Sequence, residues 1–252
     1  MQQETTATIS VIEPPMAPQS ARRVSYAIEF KPSPGWHLYY SNPGDSGLPP
    51  TVKWELPDGW TATVLRFPAP EAIEAEGMLS YGYKKPFYVV GSFEFPADQG
   101  IGTHTVKGTL RWMGCMEMCT IEQKEISVNV RIQATPTFVP PGSPTPLATA
   151  LATMPQPLEA GAASVLFADD QYRLTVTAQD GGESAEFFPG DPGVVANQRW
   201  VVQADGALNF RLAKSPYSDA VAERLRGVIL VKAGEKRLSF AVDLPVGQVD
   251  QR

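Results

Sequence analysis

Residues 105–132 read Thr105-Val-Lys-Gly-Thr-Leu-Arg-Trp-Met-Gly-Cys-Met-Glu-Met-Cys-Thr-Ile-Glu-Gln-Lys-Glu-Ile-Ser-Val-Asn-Val-Arg-Ile132. At one end Val106, Gly108, Leu110 and Trp112 alternate with Thr105, Lys107, Thr109 and Arg111. At the other, Ile126, Val128, Val130 and Ile132 alternate with Ser127, Asn129 and Arg131. A period of two is the signature of a strand, and one apolar row per run is what a half-buried antiparallel strand requires. Two such runs this close in sequence pair most simply as a hairpin, with Cys115-Met-Glu-Met-Cys119 at or near its tip.

The same period recurs on both sides of this stretch. Val24, Tyr26, Ile28 and Phe30 alternate with Arg23, Ser25, Ala27 and Glu29, and Phe87–Phe95 reads as a strand interrupted by Gly91. Further on, Tyr172, Leu174, Val176 and Ala178 form one row, Leu208, Phe210 and Leu212 a second, and Leu238, Phe240, Val242 and Leu244 a third. Between the two groups, seven prolines fall within residues 134–157, a composition that makes a semi-rigid connector, with room for a short helix over Leu147–Met154. The expected organisation is therefore all-β: a first β-sandwich over residues 1–133, a Pro-rich linker over 134–157, and a second β-sandwich over 158–252. One further helix is expected over residues 215–227, with Ser215 as its cap, Pro216 in its first turn and Gly227 at its stop.

Composition agrees. The 24 prolines and 21 glycines in 252 residues argue against a helical bundle, and 43% hydrophobic residues supply real cores. A formal charge of −6, spread along the chain, offers no basic patch for nucleic acid. There is no apolar run of membrane-spanning length, and the start Met1-Gln-Gln-Glu lacks the basic-then-apolar pattern of a secretory signal. Either the protein is cytosolic or the sequence is that of a trimmed ectodomain.

Chemistry centres on Cys115 and Cys119. Cross-strand neighbours lie close enough for a disulfide with little rearrangement. Closing a loop of five residues stabilises a fold by about 2 kcal/mol, against nearly 5 for a loop of about 100, so a bridge here adds little to a domain with its own core. That favours a bond made to open and close, although a local staple or two unpaired thiols fit the same spacing. A metal reading exists too. Cys115, Cys119, Met116 and Met118 are the soft ligands that suit Cu(I), with Met113 also near, whereas His37 and His104 are too distant in sequence to complete a zinc site.

Several motifs now add up. Gly35-Trp-His-Leu-Tyr-Tyr-Ser-Asn-Pro-Gly-Asp-Ser-Gly-Leu-Pro-Pro-Thr-Val-Lys-Trp54 is followed by Leu56-Pro-Asp-Gly-Trp60, Phe67-Pro-Ala-Pro-Glu71, Tyr81-Gly-Tyr83 and the Trp-x-x-Cys hairpin at 112–119. Phe187-Phe-Pro-Gly-Asp-Pro-Gly-Val-Val195, Leu225-Arg-Gly-Val-Ile-Leu230 and Val242-Asp-Leu-Pro245 continue the pattern. As an ordered set over most of residues 20–247, the chain resembles the periplasmic N-terminal region of the DsbD-like transmembrane thiol-reductases, especially the branch called suppressor of copper sensitivity B.

The resemblance implies two immunoglobulin-like sandwiches and a periplasmic location, as the ectodomain of an inner-membrane protein whose signal peptide is absent from this sequence. It also implies thiol–disulfide exchange, with no cofactor. Electrons would come from the membrane and C-terminal thioredoxin-like domains of the full-length protein and pass to periplasmic thioredoxin-fold oxidoreductases. By position, Cys119 matches the cysteine that forms the mixed disulfide with partners and Cys115 the one that resolves it. Tyr81 and Tyr83 match an aromatic cap loop that shields the pair, with Tyr39 beside them. DsbD itself spaces its cysteines more widely, so its partner geometry does not carry over.

Within three residues of Cys119 there is no lysine, arginine or histidine, while Glu117 and Glu122 would raise its pKa if close in space. An ordinary or raised thiol pKa is expected. His37 suits a proton shuttle, but a lone histidine among aromatics more often has a structural role. Asn42-Pro-Gly-Asp-Ser-Gly47, Asp169-Asp170 and Asp180-Gly-Gly read as turns rather than phosphate or calcium sites.

Overall fold

The computed structural model describes residues 6–18, 20–134, 145–177, 183–203 and 207–248. Residues 135–144 of the Pro-rich stretch, Ala178 of the expected row and Asp180-Gly-Gly lie outside the described residues. The chain is nearly all β. It forms two compact units. One gathers residues up to 40, 48–68 and 83–154; the other gathers 41–47, 69–82 and 155 onward. The second unit thus takes in two segments from the first half of the sequence, which no local pattern marks.

In the first unit, one antiparallel sheet runs in the order Ala7–Ile12, Arg23–Pro32, Phe87–Glu94, Thr61–Ala62. The other is built on the long hairpin Gly102–Cys115 and Cys119–Gln133, whose register runs from Gly102↔Ile132 to Cys115↔Cys119. The expected rows face inward: Val106, Leu110, Val128 and Val130 have no exposure, and Trp112 has 3%. Glycine is used where an aromatic needs its space. A Cβ on Gly91 would overlap the Tyr26 phenol, and one on Gly108 would lie 2.6 Å from Trp54 Cε3. Tyr26 stacks on Phe93 at 4.7 Å, and Trp54 Nε1 donates to the Tyr26 hydroxyl at 3.0 Å.

The helix Pro146–Ala152 is capped by Thr145, whose hydroxyl accepts from Ala148 N at 3.0 Å. Leu147, Ala150 and Met154 pack onto the ladder pair Ala27 and Val90. This explains one departure from strict alternation. Ala27 belongs to the polar row by sequence, yet the helix covers it completely.

The second unit carries the antiparallel pair Glu71–Ala75 and Met78–Tyr83, all but the final Tyr83, turned through Glu76 and Gly77, both at positive φ as a two-residue hairpin turn requires. Its main sheet has the order Trp200–Gln203, Ser184–Pro189, Arg224–Ala233, Lys236–Gln248, Ala163–Ala168, Gln171–Thr177, Ala207–Ala213. Tyr172, Leu174, Val176, Leu208, Phe210 and Leu212 fill its core as the alternation predicts.

The expected helix over residues 215–227 is not formed. A turn follows Ser215, whose hydroxyl accepts from Tyr217 N at 3.3 Å, and the strand Arg224–Ala233 begins before the predicted stop. Leu225, Ile229 and Val231 are buried at a period of two. Gly227 is a strand residue, since a Cβ there would strike the Phe187 ring at 2.6 Å and the Phe188 carbonyl. Capping signals here were outweighed by sheet pairing, which a local window does not contain.

Candidate functional site

The tip of the first unit's hairpin carries a Cys115–Cys119 disulfide. The two sulfurs have different surroundings. Cys115 is 3% exposed, whereas Cys119 is exposed at the start of its strand. The Tyr39 hydroxyl, itself buried, donates to Cys115 Sγ at 2.9 Å. Tyr39 is brought there by strand pairing. The strand His37–Gly44 joins Gly102–Cys115 at two positions, Leu38↔Gly114 and His37↔Cys115.

Directly opposed residues in an antiparallel pair project from the same face. His37, Cys115 and Cys119 therefore form one row across three strands. Tyr39, two residues along from His37, is on that face as well, and the two rings meet edge to face at 5.2 Å. Gly35, at φ 85°, leaves room for Met116, since a Cβ on it would lie 2.8 Å from Met116 Sδ.

The opposite face of the hairpin anchors it. Trp112 Nε1 donates to Thr6 Oγ1 at 2.9 Å, and Thr6 N donates to the Glu122 carboxylate. Glu122 is the ladder partner of Trp112, so it faces away from Cys119. The expectation that it might crowd Cys119 with negative charge is therefore not met. Glu117 remains in the exposed loop.

Of the three tyrosines expected at the site, Tyr39 meets the cysteines. Tyr83 stacks on Phe87 at 3.9 Å and donates to the Pro68 carbonyl at 2.8 Å; burial, followed by the neighbouring Tyr40, raises its pKa well above the usual phenol value. Tyr81 groups with the second unit. It donates to the Gln198 carbonyl at 2.9 Å and meets Phe188 edge-on, and burial together with the Asp45 charge raises its pKa. For the Cu(I) alternative, Met116 and Met118 are 50% and 79% exposed beside the pair. Among the described residues, no three histidine, cysteine or acidic side chains are grouped to hold a metal ion.

Thr6 is a site-supporting residue that sequence reasoning did not single out, because nothing local links it to a tryptophan 106 residues away. The row made by His37 was hidden for the same reason.

Chemically, the arrangement suits attack on the exposed sulfur. A thiolate approaching Cys119 Sγ would expel Cys115 Sγ, and the leaving sulfur already has a hydrogen-bond donor in place.

No curated protein sequence matches the chain. Residues 10–130 match the family described as "Thiol:disulfide interchange protein DsbD, N-terminal". Among solved structures, the N-terminal periplasmic domain of ScsB from Proteus mirabilis superposes with a TM-score of 0.67 at 18% identity, covering 99% of this chain and 96% of that one. The DsbD N-terminal domain of Neisseria meningitidis in its reduced form gives 0.33 at 15% identity, covering 50% of this chain and 86% of that one. The fold of the whole chain thus resembles that of the ScsB domain, and residues 10–130, which hold the cysteine pair, match the DsbD N-terminal family.

Proposed function

We propose that this chain is a periplasmic thiol–disulfide exchange module, built as two immunoglobulin-like sandwiches, that takes electrons from a membrane reductase domain and passes them to soluble thioredoxin-fold partners. The observation that carries the reading is the inequality of the two sulfurs. Cys119 is open to a partner, while Cys115 is buried under a hydroxyl donor. An exchange pair needs one sulfur to bond the partner and one to leave and return. A structural staple has no use for the distinction.

In electron delivery, the reduced module attacks a partner disulfide through Cys119. Cys115 then attacks Cys119 Sγ in the mixed disulfide, reforming the internal bond and releasing the partner as a dithiol. Recharging runs the same steps backwards. Met116, Met118 and Ile121, all within three residues of Cys119, are exposed apolar side chains, the last 45% exposed, and adaptable side chains of this kind suit a partner's apolar surface. Tyr39 keeps the shielding role in this proposal, as the aromatic side chain in contact with the pair.

Trapping tests it. In the Cys115→Ser variant, Cys119 should accumulate as a mixed disulfide with periplasmic thioredoxin-fold proteins, and in Cys119→Ser it should not. Equal trapping by both variants, or by neither, would overturn the reading.

A further inference from the structure

We propose that the second unit carries a binding site for a neutral oligosaccharide, in a cavity where Asp45, Asn197 and Tyr217 converge. The inference does not involve the cysteine pair and goes beyond the exchange reading, because it gives the second unit a ligand of its own.

The cavity measures about 580 Å3, within the range that holds small ligands. Its lining belongs wholly to the second unit, with Asn42, Gly44 and Asp45 on one side and residues between 192 and 217 on the other. The stretch Asn42–Gly47 reads as a turn in the sequence, and the fold pins it through side chains as well as backbone. Asn42 Nδ2 donates to the Pro189 carbonyl and Asn42 Oδ1 accepts from Gly44 N, both at 3.2 Å. Asp45 N donates to the Leu79 carbonyl at 2.9 Å, and Leu79 N donates to Asp45 Oδ2 at 2.7 Å. Gly44, at φ 87°, lies so close to this pairing that a Cβ on it would strike the Leu79 carbonyl. The Asp45 carboxylate is thus held in one place before any ligand arrives, which lowers the ordering cost of binding.

The hydrogen-bonding capacity that remains suits adjacent hydroxyl groups. An ionised carboxylate offers about four lone-pair sites. Asp45 uses one for Leu79 N and one for Asn197 Nδ2, the latter at 2.9 Å, and keeps an acceptor site on each oxygen. Asn197 has a second amide hydrogen to donate. Side by side, these groups can take both the proton and the lone pair of a sugar hydroxyl. Asp45 is exposed and Asn197 half-buried, so both are within a ligand's reach.

Tyr217 supplies the apolar part. Its side chain is 93% exposed on a turn in which Tyr217 N donates to Ser215 Oγ and Ser218 N to the Ser215 carbonyl. An open aromatic face beside polar groups fits the C–H face of a sugar ring. Charge narrows the class further. Asp45 is the one charged residue among the described residues of the lining, so an anion such as phosphate meets no cation there. The Asp45–Asn197 pair also lines a neighbouring cavity of about 510 Å3, which gives room for more than one ring.

The test titrates the isotope-labelled full chain with neutral di- and trisaccharides of glucose, galactose, mannose and N-acetylglucosamine at millimolar concentrations, and follows its amide NMR signals. At least one sugar should shift the signals of Asp45, Asn197 and Tyr217. Tyr217→Ala, which removes only an exposed side chain, should weaken that binding about tenfold, whereas Tyr217→Phe, which keeps the ring, should bind like the parent. Asp45→Asn, which keeps the shape but not the charge, should also weaken it about tenfold. A panel in which no sugar shifts these signals, or a Tyr217→Ala protein that binds like the parent, would overturn the proposal. So would shifts produced by inorganic phosphate or a lysine-rich peptide in place of the sugars. Cys115→Ser should bind sugar unchanged, so this outcome is separate from the partner trapping on which the exchange reading stands.

Discussion

At Cys115 a single hydrogen bond, from the Tyr39 hydroxyl at 2.9 Å, adds a chemical difference to the difference in burial between the two sulfurs. Hydrogen bonds to charged groups contribute about 1.5–3 kcal/mol, and the leaving sulfur carries only part of its charge in the transition state. Tyr39→Phe should therefore slow opening of the disulfide by dithiothreitol about tenfold at neutral pH, with the fold unchanged by circular dichroism. An unaltered rate would reduce Tyr39 to packing. The cysteine pair was legible in the sequence, and Tyr39 was legible as a neighbour. Its role as donor was not, because that depends on where a phenol oxygen ends after the strands pair. His37 was readable as a residue but not as a member of the row, since its partner lies 78 positions away.

The hairpin Gly102–Cys115 and Cys119–Gln133 is the element that presents the site, and its stability depends little on the bond at its tip. Its inner face is held by Val106, Leu110, Val128 and Val130, and its outer end by the Trp112–Thr6–Glu122 contacts. Reduction should therefore cost only about 2 kcal/mol, the loop-closure value for five residues. Urea unfolding of the oxidised and reduced forms checks this. A reduced form that unfolds outright would mark the bond as a structural staple. This hairpin was almost fully readable, because both its rows are local and the turn between them is short. The reverse held for residues 215–227. There the serine, proline and glycine punctuation of a helix was present, but Gly227 serves close packing against Phe187 and Phe188 within a sheet.

Across the molecule, buried phenols link folding to alkaline pH. Tyr26, fully buried, has its pKa pushed up to about 12 by burial, which the hydrogen bond from Trp54 only partly offsets. A folded-state pKa above the unfolded value near 10 means that the folded protein holds the proton more tightly. That contribution is complete below pH 10 and is lost as pH rises through about 12, amounting to roughly 2–3 kcal/mol. Denaturant midpoints measured from pH 9 to 12 should fall, and Tyr26→Phe should flatten that fall while lowering stability at pH 8, because Trp54 Nε1 loses its acceptor. A fall just as steep in the variant would exclude Tyr26 as the source.

By itself the sequence determined the all-β character, the hairpin with its cysteine pair, and the rows that became the cores. Those depend on periodicity and spacing, which are properties of short windows. Only the tertiary structure decided that Cys115 is covered while Cys119 is open, that Tyr39 and His37 share its face, that a helix covers Ala27, and that residues 41–47 and 69–82 group with the second unit. Each of these depends on pairing between distant segments. Burial and hydrogen bonding are energies of such pairs, so they come into being when the strands meet and leave no local pattern beforehand.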